Sequence, residues 1–495
     1  MDRRSFLGLT GSALLAGCGG GSDMHGGSMT AGMGALPLNT TPPLSEGAPL
    51  RPLARLANAS TLPGVFEAAL TAAPVEVALA PGTRTTFWAY NGSVPGPLIE
   101  VTEGDRVRIA FTNALPGQDS TVHWHGMPVP AAQDGNPMDP VAPGATRRYE
   151  FTLPAESAAS YWYHPHPHQV THEQVFRGLA GVFLVKPRVD PLPAGLVDLP
   201  LLISDLRLDA GWRIAPNTGM DYVFGREGDV LLVNGDRRPL LTVAPGQSHR
   251  LRLFNATNAR YLRLAFDAAT MTLIGTDGGL LSTPVPNQAE VLLAPGERVE
   301  VVVNFTTDTV LRALPYDRGS MMMGVAGMSR AADTILTVRV QGATVQPVVL
   351  PSVLRVVPAL PPAVRSQRFV LGPDGMMAGM SAMTPGAFTI NGRSFDPNRV
   401  DALMTVGEPE TWEVVNATGM DHPFHIHGTQ FQVISRERSS RSSPAPYPAL
   451  KDTVNVARGE TVRLLMRQDQ PGQRMYHCHI LEHEDQGMMC VLAVR

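Results

Sequence analysis

Val101-Thr-Glu-Gly-Asp-Arg-Val-Arg-Ile-Ala-Phe-Thr-Asn113 is a tight turn followed by a strand of alternating apolar and polar residues, and the chain repeats it. A second copy reads Val243-Ala-Pro-Gly-Gln-Ser-His-Arg-Leu-Arg-Leu-Phe-Asn255, and Val406 to Asn416 is a third. A shorter companion follows each copy: Ala142-Pro-Gly-Ala-Thr-Arg-Arg-Tyr, Ala294-Pro-Gly-Glu-Arg-Val-Glu-Val and Ala457-Arg-Gly-Glu-Thr-Val-Arg-Leu. Strict alternation marks a strand with one buried face, and Pro-Gly or Gly-Asp turns between such strands suit antiparallel sandwiches. A pair of elements recurring along the chain signals a repeated unit. The reading is an all-β protein of three consecutive β-sandwich domains, roughly 140 to 160 residues each. Proline breaks the pattern at Pro187 to Pro193 and again at Leu350 to Pro362. The expected divisions are a leader and tether at 1–45, then domains at 46–190, 191–347 and 348–495.

Composition agrees with that architecture. Among 495 residues, 43% are apolar and 17% charged, with 48 Gly and 44 Pro, which excludes a coiled coil and a disordered polymer and favours many turns. The net charge is -4 and the basic residues are almost all arginines spread singly, so no basic stripe exists for a phosphate backbone. Nucleic acid is excluded as a partner on that ground. Three cysteines, Cys18, Cys478 and Cys490, make no disulfide framework.

The N-terminus carries an address. Arg3-Arg4 precedes an apolar stretch that ends at Gly17, too short to span a bilayer, which is the pattern of a twin-arginine export signal. Leu15-Ala-Gly-Cys18 resembles a bacterial lipoprotein signal, in which Cys18 becomes the lipidated first residue, and Gly19 to Pro43 then forms a flexible tether. The sequence therefore predicts a protein of the bacterial periplasm or cell surface, exported by the twin-arginine machinery and held to the membrane by lipid. The later apolar run from Val345 to Val364 is broken by five prolines and cannot form a spanning helix.

Ten of the 14 histidines fall in four short clusters. His123-Trp-His125 and His164-Pro-His166 lie in the first domain; His422-Pro-Phe-His425-Ile-His427 and His477-Cys-His479-Ile-Leu-Glu-His483 lie in the third. On an extended segment residues i and i+2 share a face and i+1 takes the other. His477 and His479 thus point one way and Cys478 the opposite way, which implies two metal sites back to back. A thiolate with two imidazoles and a weak axial thioether defines a blue-copper electron-transfer site, and His422, His483 and Met488 are the candidate partners of Cys478. On the far side His425 and His427 join His477 and His479. With the four histidines of the first domain they make eight imidazoles, enough for three coppers with positions left for an oxygen ligand.

These clusters resemble those of the multicopper oxidases, the laccase-like family built from three cupredoxin-like Greek-key sandwiches, over essentially the whole mature chain. The resemblance implies four coppers per chain. Cys478, His422, His483 and Met488 would form the type 1 site, and His123 and His425 would hold the type 2 copper. His125, His164 and His479 would hold one type 3 copper, and His166, His427 and His477 the other. It also implies proton delivery by Glu484 and by Asp134, whose positions match, and an oxidase reaction in which dioxygen is reduced to water. Asp452, in Lys451-Asp-Thr-Val, is a weaker candidate for orienting a type 1 histidine. The second domain holds no cluster and reads as a spacer, with the trinuclear site between the first and third domains. His168 and His172 fit no ligand position, His249 reads as a histidine satisfied in a turn, and Cys490 as a small buried apolar group.

The reductant follows from methionine, of which there are 22. Met321-Met322-Met323 with Met328, and Met376-Met377 with Met380 and Met383, resemble the methionine-rich insertions of periplasmic copper-efflux oxidases, since thioethers bind Cu(I). Methionine filling irregular segments is the plain alternative. Met420 sits where that subfamily places a substrate-copper ligand, but the acid expected four residues before His422 is Thr418, with Asp421 close by. The expected function is oxidation of Cu(I), and of small aromatic reductants, with dioxygen as acceptor. The alternative is a general phenol-oxidising laccase without a role in copper homeostasis.

Overall fold

The computed structural model describes residues 40–320, 330–357, 359–372 and 386–495. The expectations on Arg3-Arg4, on Cys18 and on the methionine runs at 321–328 and 376–383 lie outside those residues. Among the described residues no helix is long and apolar enough to cross a membrane.

The repeat quoted above builds the same corner of three sandwiches. Each long copy is a strand, Arg106–Asn113, Ser248–Asn255 or Pro409–Asn416, and each short companion is its antiparallel neighbour, Thr146–Thr152, Arg298–Asn304 or Glu460–Arg467. On its other side each long copy runs parallel to the opening strand of its sandwich, Val65–Val77, Val197–Leu206 or Arg365–Gly372. The asparagine that ends each copy has one job. Asn113, Asn255 and Asn416 are buried and donate through Nδ2 to backbone carbonyls, of Gln118 and Val141, of Arg260 and Leu293, and of Met420 and Val456.

In the first sandwich the sheet ordered Thr85–Tyr90, Val65–Val77, Arg106–Asn113, Thr146–Thr152 faces one ordered Gly96–Thr102, Gly181–Lys186, Ala159–His164, His123–His125. Their inner faces share a core that includes Phe66, Ile109, Trp124, Tyr163 and Phe183. The second sandwich pairs six strands with five. In the third, Ala402–Met404, Met489–Val494, Gly472–Cys478, His422–Ile426 and Thr453–Val456 form the sheet that carries the site. Alternation does what the sequence pattern implies: along Glu460–Arg467, Val462, Leu464 and Met466 turn inward and are fully buried. Each such burial contributes about 1.5–3 kcal/mol.

Ser248–Asn255 departs from that pattern, since both of its faces are buried. Its polar face, Arg250 and Arg252, meets Glu300 and the first sandwich's Ser160 rather than water. Residues 46–50 lie along the second sandwich, where Glu46 bridges Arg237 and Pro49 bridges Leu240, before Arg55 joins Leu98 of the first.

Candidate metal centre

His422–Ile426 and Gly472–Cys478 are antiparallel neighbours in the register Phe424 opposite Cys478 and His425 opposite His477. Opposed residues share a face and successive ones alternate. His422, Phe424 and Cys478 therefore turn into the third sandwich, and His425, His427 and His477 turn out of it. In the first sandwich His123 opposes His164 and His125 opposes Trp162, while Trp124 and Tyr163 fill the core. The two outward faces meet, and all ten clustered histidines are buried.

The inward group is His422, Cys478 and His483, whose donor atoms lie within 4.8 Å of one another. His483 comes from the short helix Leu481–Asp485, which follows the strand directly. His422 Nδ1 is 3.4 Å from Cys478 Sγ. Its other nitrogen donates to Thr418 Oγ1 at 2.8 Å, and His483 Nε2 donates to the Val223 carbonyl at 3.1 Å. Both Nδ1 atoms thus carry a lone pair on the side of the sulfur. Met488 is buried in the same core; its carbonyl accepts the Cys478 N–H and its N–H donates to the His483 carbonyl. Burial and then the charge of Arg318 hold His422 down to about 3, and burial pushes the Cys478 thiol up. The group therefore rests as neutral imidazoles and a thiol, and a metal must displace the thiol proton.

The outward group is purely imidazole. His125, His164 and His479 form one set within 4.8 Å, His166, His427 and His477 another, and His123, His125 and His425 a third. Outer hydrogen bonds fix the tautomers. His123, His164, His425 and His477 donate through Nδ1 to the carbonyls of Asp134, Pro165, Asp452 and Cys478, and His427 Nδ1 donates to Asp134 Oδ2 at 3.0 Å. Each then presents an Nε2 lone pair inward. His477 Nε2 stands 3.1 Å from that of His427 and 3.2 Å from that of His166. Lone pairs so close repel unless a cation lies among them. Imidazole donors at metal-bond length, about 2.0–2.1 Å, stand about 3.3 Å apart around a tetrahedral ion. Among the described residues, the Nε2 atoms of His123 and His425 have no hydrogen-bond partner. Burial, reinforced by the neighbouring rings, holds His125, His164, His166, His425, His427 and His479 well below the usual imidazole range. The residues present thus fit copper: a soft thiolate site on one side and a nitrogen-only site on the other.

Two acids flank the imidazole site in matching ways. Asp134 lies 3.0 Å from His427 Nδ1 and 3.4 Å from His123 Nδ1, and Glu484 lies 3.1 Å from His477 Nδ1 and 3.4 Å from His166 Nδ1. Each acid touches one ring of the first sandwich and one of the third. His123, Asp134 and His427 also lie within metal-ligand reach, but the nitrogens facing Asp134 are donors, so that contact is hydrogen bonding. Gly135 makes the approach of Asp134 possible: at φ +75 a Cβ there would stand 2.0 Å from the Val122 carbonyl oxygen. Burial raises the carboxyl of Glu484, against the opposing pull of His477.

Three expectations change. Asp452 does not orient a type 1 histidine; its Oδ1 accepts from His125 Nε2 at 3.1 Å, on the imidazole side, because Thr453–Val456 pairs with the strand that carries His425. Thr418, which stood out only as a missing acid, holds His422, and Asp421 is committed to Tyr316 Oη at 2.6 Å and the Arg458 N–H. The second sandwich is more than a spacer. It supplies the Val223 carbonyl to His483, sets Gly296 against the His479 ring, and sends Arg298 to Asp452. These partners lie far from their targets in the chain, and no local pattern announces them. The other expectations find their places. His172 pairs with Asp485 at 2.6 Å, His168 packs on Phe395, His249 donates to the Gln247 carbonyl, and Cys490 is buried opposite Tyr476. Met420 is buried, and Arg318, whose charge acts on His422, also lines a small pocket with Tyr261, Tyr316, Arg260 and Glu227.

Family profiles described as multicopper oxidase match residues 71–190, 208–311 and 372–495. A solved multicopper oxidase from Campylobacter jejuni, described as a metallo-oxidase, is 40% identical and superposes with a TM-score of 0.86, covering 91% of this chain and 96% of that one. Multicopper oxidase mco of Staphylococcus haemolyticus is 33% identical over 409 residues, 81% of this chain and 82% of that protein. Cell division protein FtsP of Escherichia coli is 32% identical over 439 residues, 84% of this chain and 86% of that protein.

Proposed function

This chain belongs to the multicopper oxidase family, and on that premise we propose that it oxidises Cu(I), and also phenolic donors, one electron at a time, and reduces dioxygen to water. The reading distributes four coppers: type 1 at Cys478, His422, His483 and Met488, type 2 at His123 and His425, and type 3 at His125, His164 and His479 and at His166, His427 and His477. Copper bound there supplies one-electron acceptance at the thiolate site and four-electron reduction of dioxygen at the imidazole site.

The observation that carries this reading is the adjacency of the two groups. His477, Cys478 and His479 are consecutive, so the covalent chain joins a thiolate facing one way to imidazoles facing the other. The protein keeps both sides dry, orients each ring by its outer nitrogen, and places Asp134 and Glu484 where protons can be held against those outer nitrogens. Every ligand position is filled, which favours an oxidase over a scaffold that has lost its metal. The likeness to a relative described as a metallo-oxidase supports a metal ion as reductant. The second reading is a general phenol-oxidising laccase, which the same two metal groups would serve. The leader supports export by the twin-arginine route to the periplasm or cell surface, with a lipid anchor at Cys18.

The test is excision of the methionine segments 321–328 and 376–383, with oxygen uptake followed on Cu(I) and on a phenol. The proposal expects Cu(I) turnover to fall several-fold while phenol turnover holds. Equal loss for both reductants, or none, would leave the laccase reading.

A further inference from the structure

His125 is reversed among the imidazoles. His123, His164, His425, His427 and His477 all bond outward through Nδ1 and present Nε2. His125 bonds outward through Nε2, to Asp452 Oδ1 at 3.1 Å and Thr453 Oγ1 at 3.0 Å, and turns Nδ1 inward, 3.4 Å from His164 Nε2. Nδ1 lies closer to the backbone than Nε2, so this donor has less reach and tolerates less freedom of the ring.

What holds Asp452 comes from another sandwich. Arg298 Nη1 donates to Asp452 Oδ1 and Nη2 to Oδ2, both at 2.6 Å, the planar two-pronged contact that a guanidinium makes with a carboxylate. Arg298 is itself fixed by the carbonyls of Ser160, Gly296 and Asp277, and every side chain in this set is buried. Both Asp452 oxygens accept from Arg298, and Oδ1 accepts from His125 Nε2 as well. His125 must then carry its proton on Nε2, which leaves the lone pair on Nδ1. Space is closed as well: a Cβ on Gly126 would stand 2.1 Å from Asp452 Oδ2 and 2.8 Å from Arg298 Nη2.

We propose that Arg298 is a positioning residue for the imidazole metal site: its clamp on Asp452 fixes His125 in the tautomer and orientation that present Nδ1. The second sandwich thereby governs metal retention at a site whose ligands all belong to the first and third. Asp452 bridges them, since it belongs to the third sandwich and grips a ring of the first. The inference rests on the copper reading of the imidazole group.

The experiment compares copper-loaded protein with Arg298→Lys, Asp452→Asn and the double variant. Its readouts are copper content after dialysis, the blue absorption of the Cys478 site and the electron paramagnetic resonance of the imidazole-site copper. Lysine keeps the charge and loses the fork. Each single variant should hold copper at the imidazole site about 10–100-fold more weakly, with altered resonance, while the blue absorption shows that the third sandwich is folded. If Arg298 acts through Asp452, the double variant is no worse than the singles. Should Arg298→Lys fail to fold, Thr453→Val removes the second acceptor on His125 without stranding a charge, and should weaken the same copper. Parental copper content and resonance in these variants would overturn the proposal, as would additive losses in the double. Failure of the parent itself to take copper at the imidazole site would instead sink the copper reading.

Discussion

The hydroxyl of Thr418 decides which nitrogen of His422 faces the sulfur. Its own proton goes to the Asn416 side chain or the Met420 carbonyl, so the oxygen accepts from His422 Nε2. Thr257 bonds Asn255 in the same way in the second sandwich, where no histidine follows. Thr418→Val keeps the shape and removes the acceptor. It leaves a buried N–H unpaired, which costs about 1–3 kcal/mol, and frees the ring to turn. The copper-loaded variant should stay blue with altered type 1 resonance parameters; a spectrum identical to the parent's would remove Thr418 from the site.

At the scale of elements, the period of two carried most of what the sequence could say. His477, Cys478 and His479 lie on opposite faces as their spacing requires, and His422 shares the face of Cys478 because Phe424 stands opposite it. The repeated turn and strand placed the sandwiches, down to the pairing of each long copy with its short companion. Elements that depend on a partner from another sandwich were not legible. The turn at Gly296 presses on His479, with a Cβ there only 3.0 Å from the ring, yet it reads in sequence as one more Pro-Gly turn. Arg298 opens a strand whose alternation promised one buried face, yet the first and third sandwiches also cover its polar Arg298 and Glu300. Asp452 was legible as an orienting acid and misplaced as to which ring it orients, because the pairing of Thr453–Val456 with His422–Ile426 sets its position and no local pattern encodes that pairing.

Across the whole molecule, buried charge sits at the seams between sandwiches. Glu300 accepts from Arg250 Nε, Arg252 Nη1 and the Ser160 hydroxyl of the first sandwich, and although burial pushes its carboxyl up, the two arginines prevail and hold it at about 2. A carboxylate whose folded value lies below the unfolded value of about 4.3 contributes stability that is complete above that value and is lost as pH falls through about 2. Glu300→Gln should therefore lower the melting midpoint at pH 7, by the equivalent of about 3–5 kcal/mol for a broken buried pair, and by clearly less at pH 3. A deficit of the same size at both values would show that packing, not charge, joins the sandwiches there. If copper occupies both faces of the strand that carries Cys478, a crystal of the copper-loaded protein with anomalous maps at the copper edge will show both sites. One peak is expected among His422, Cys478 and His483 and three among His123, His125, His164, His166, His425, His427, His477 and His479. A missing peak at Cys478, or fewer than three among the eight histidines, would contradict that arrangement.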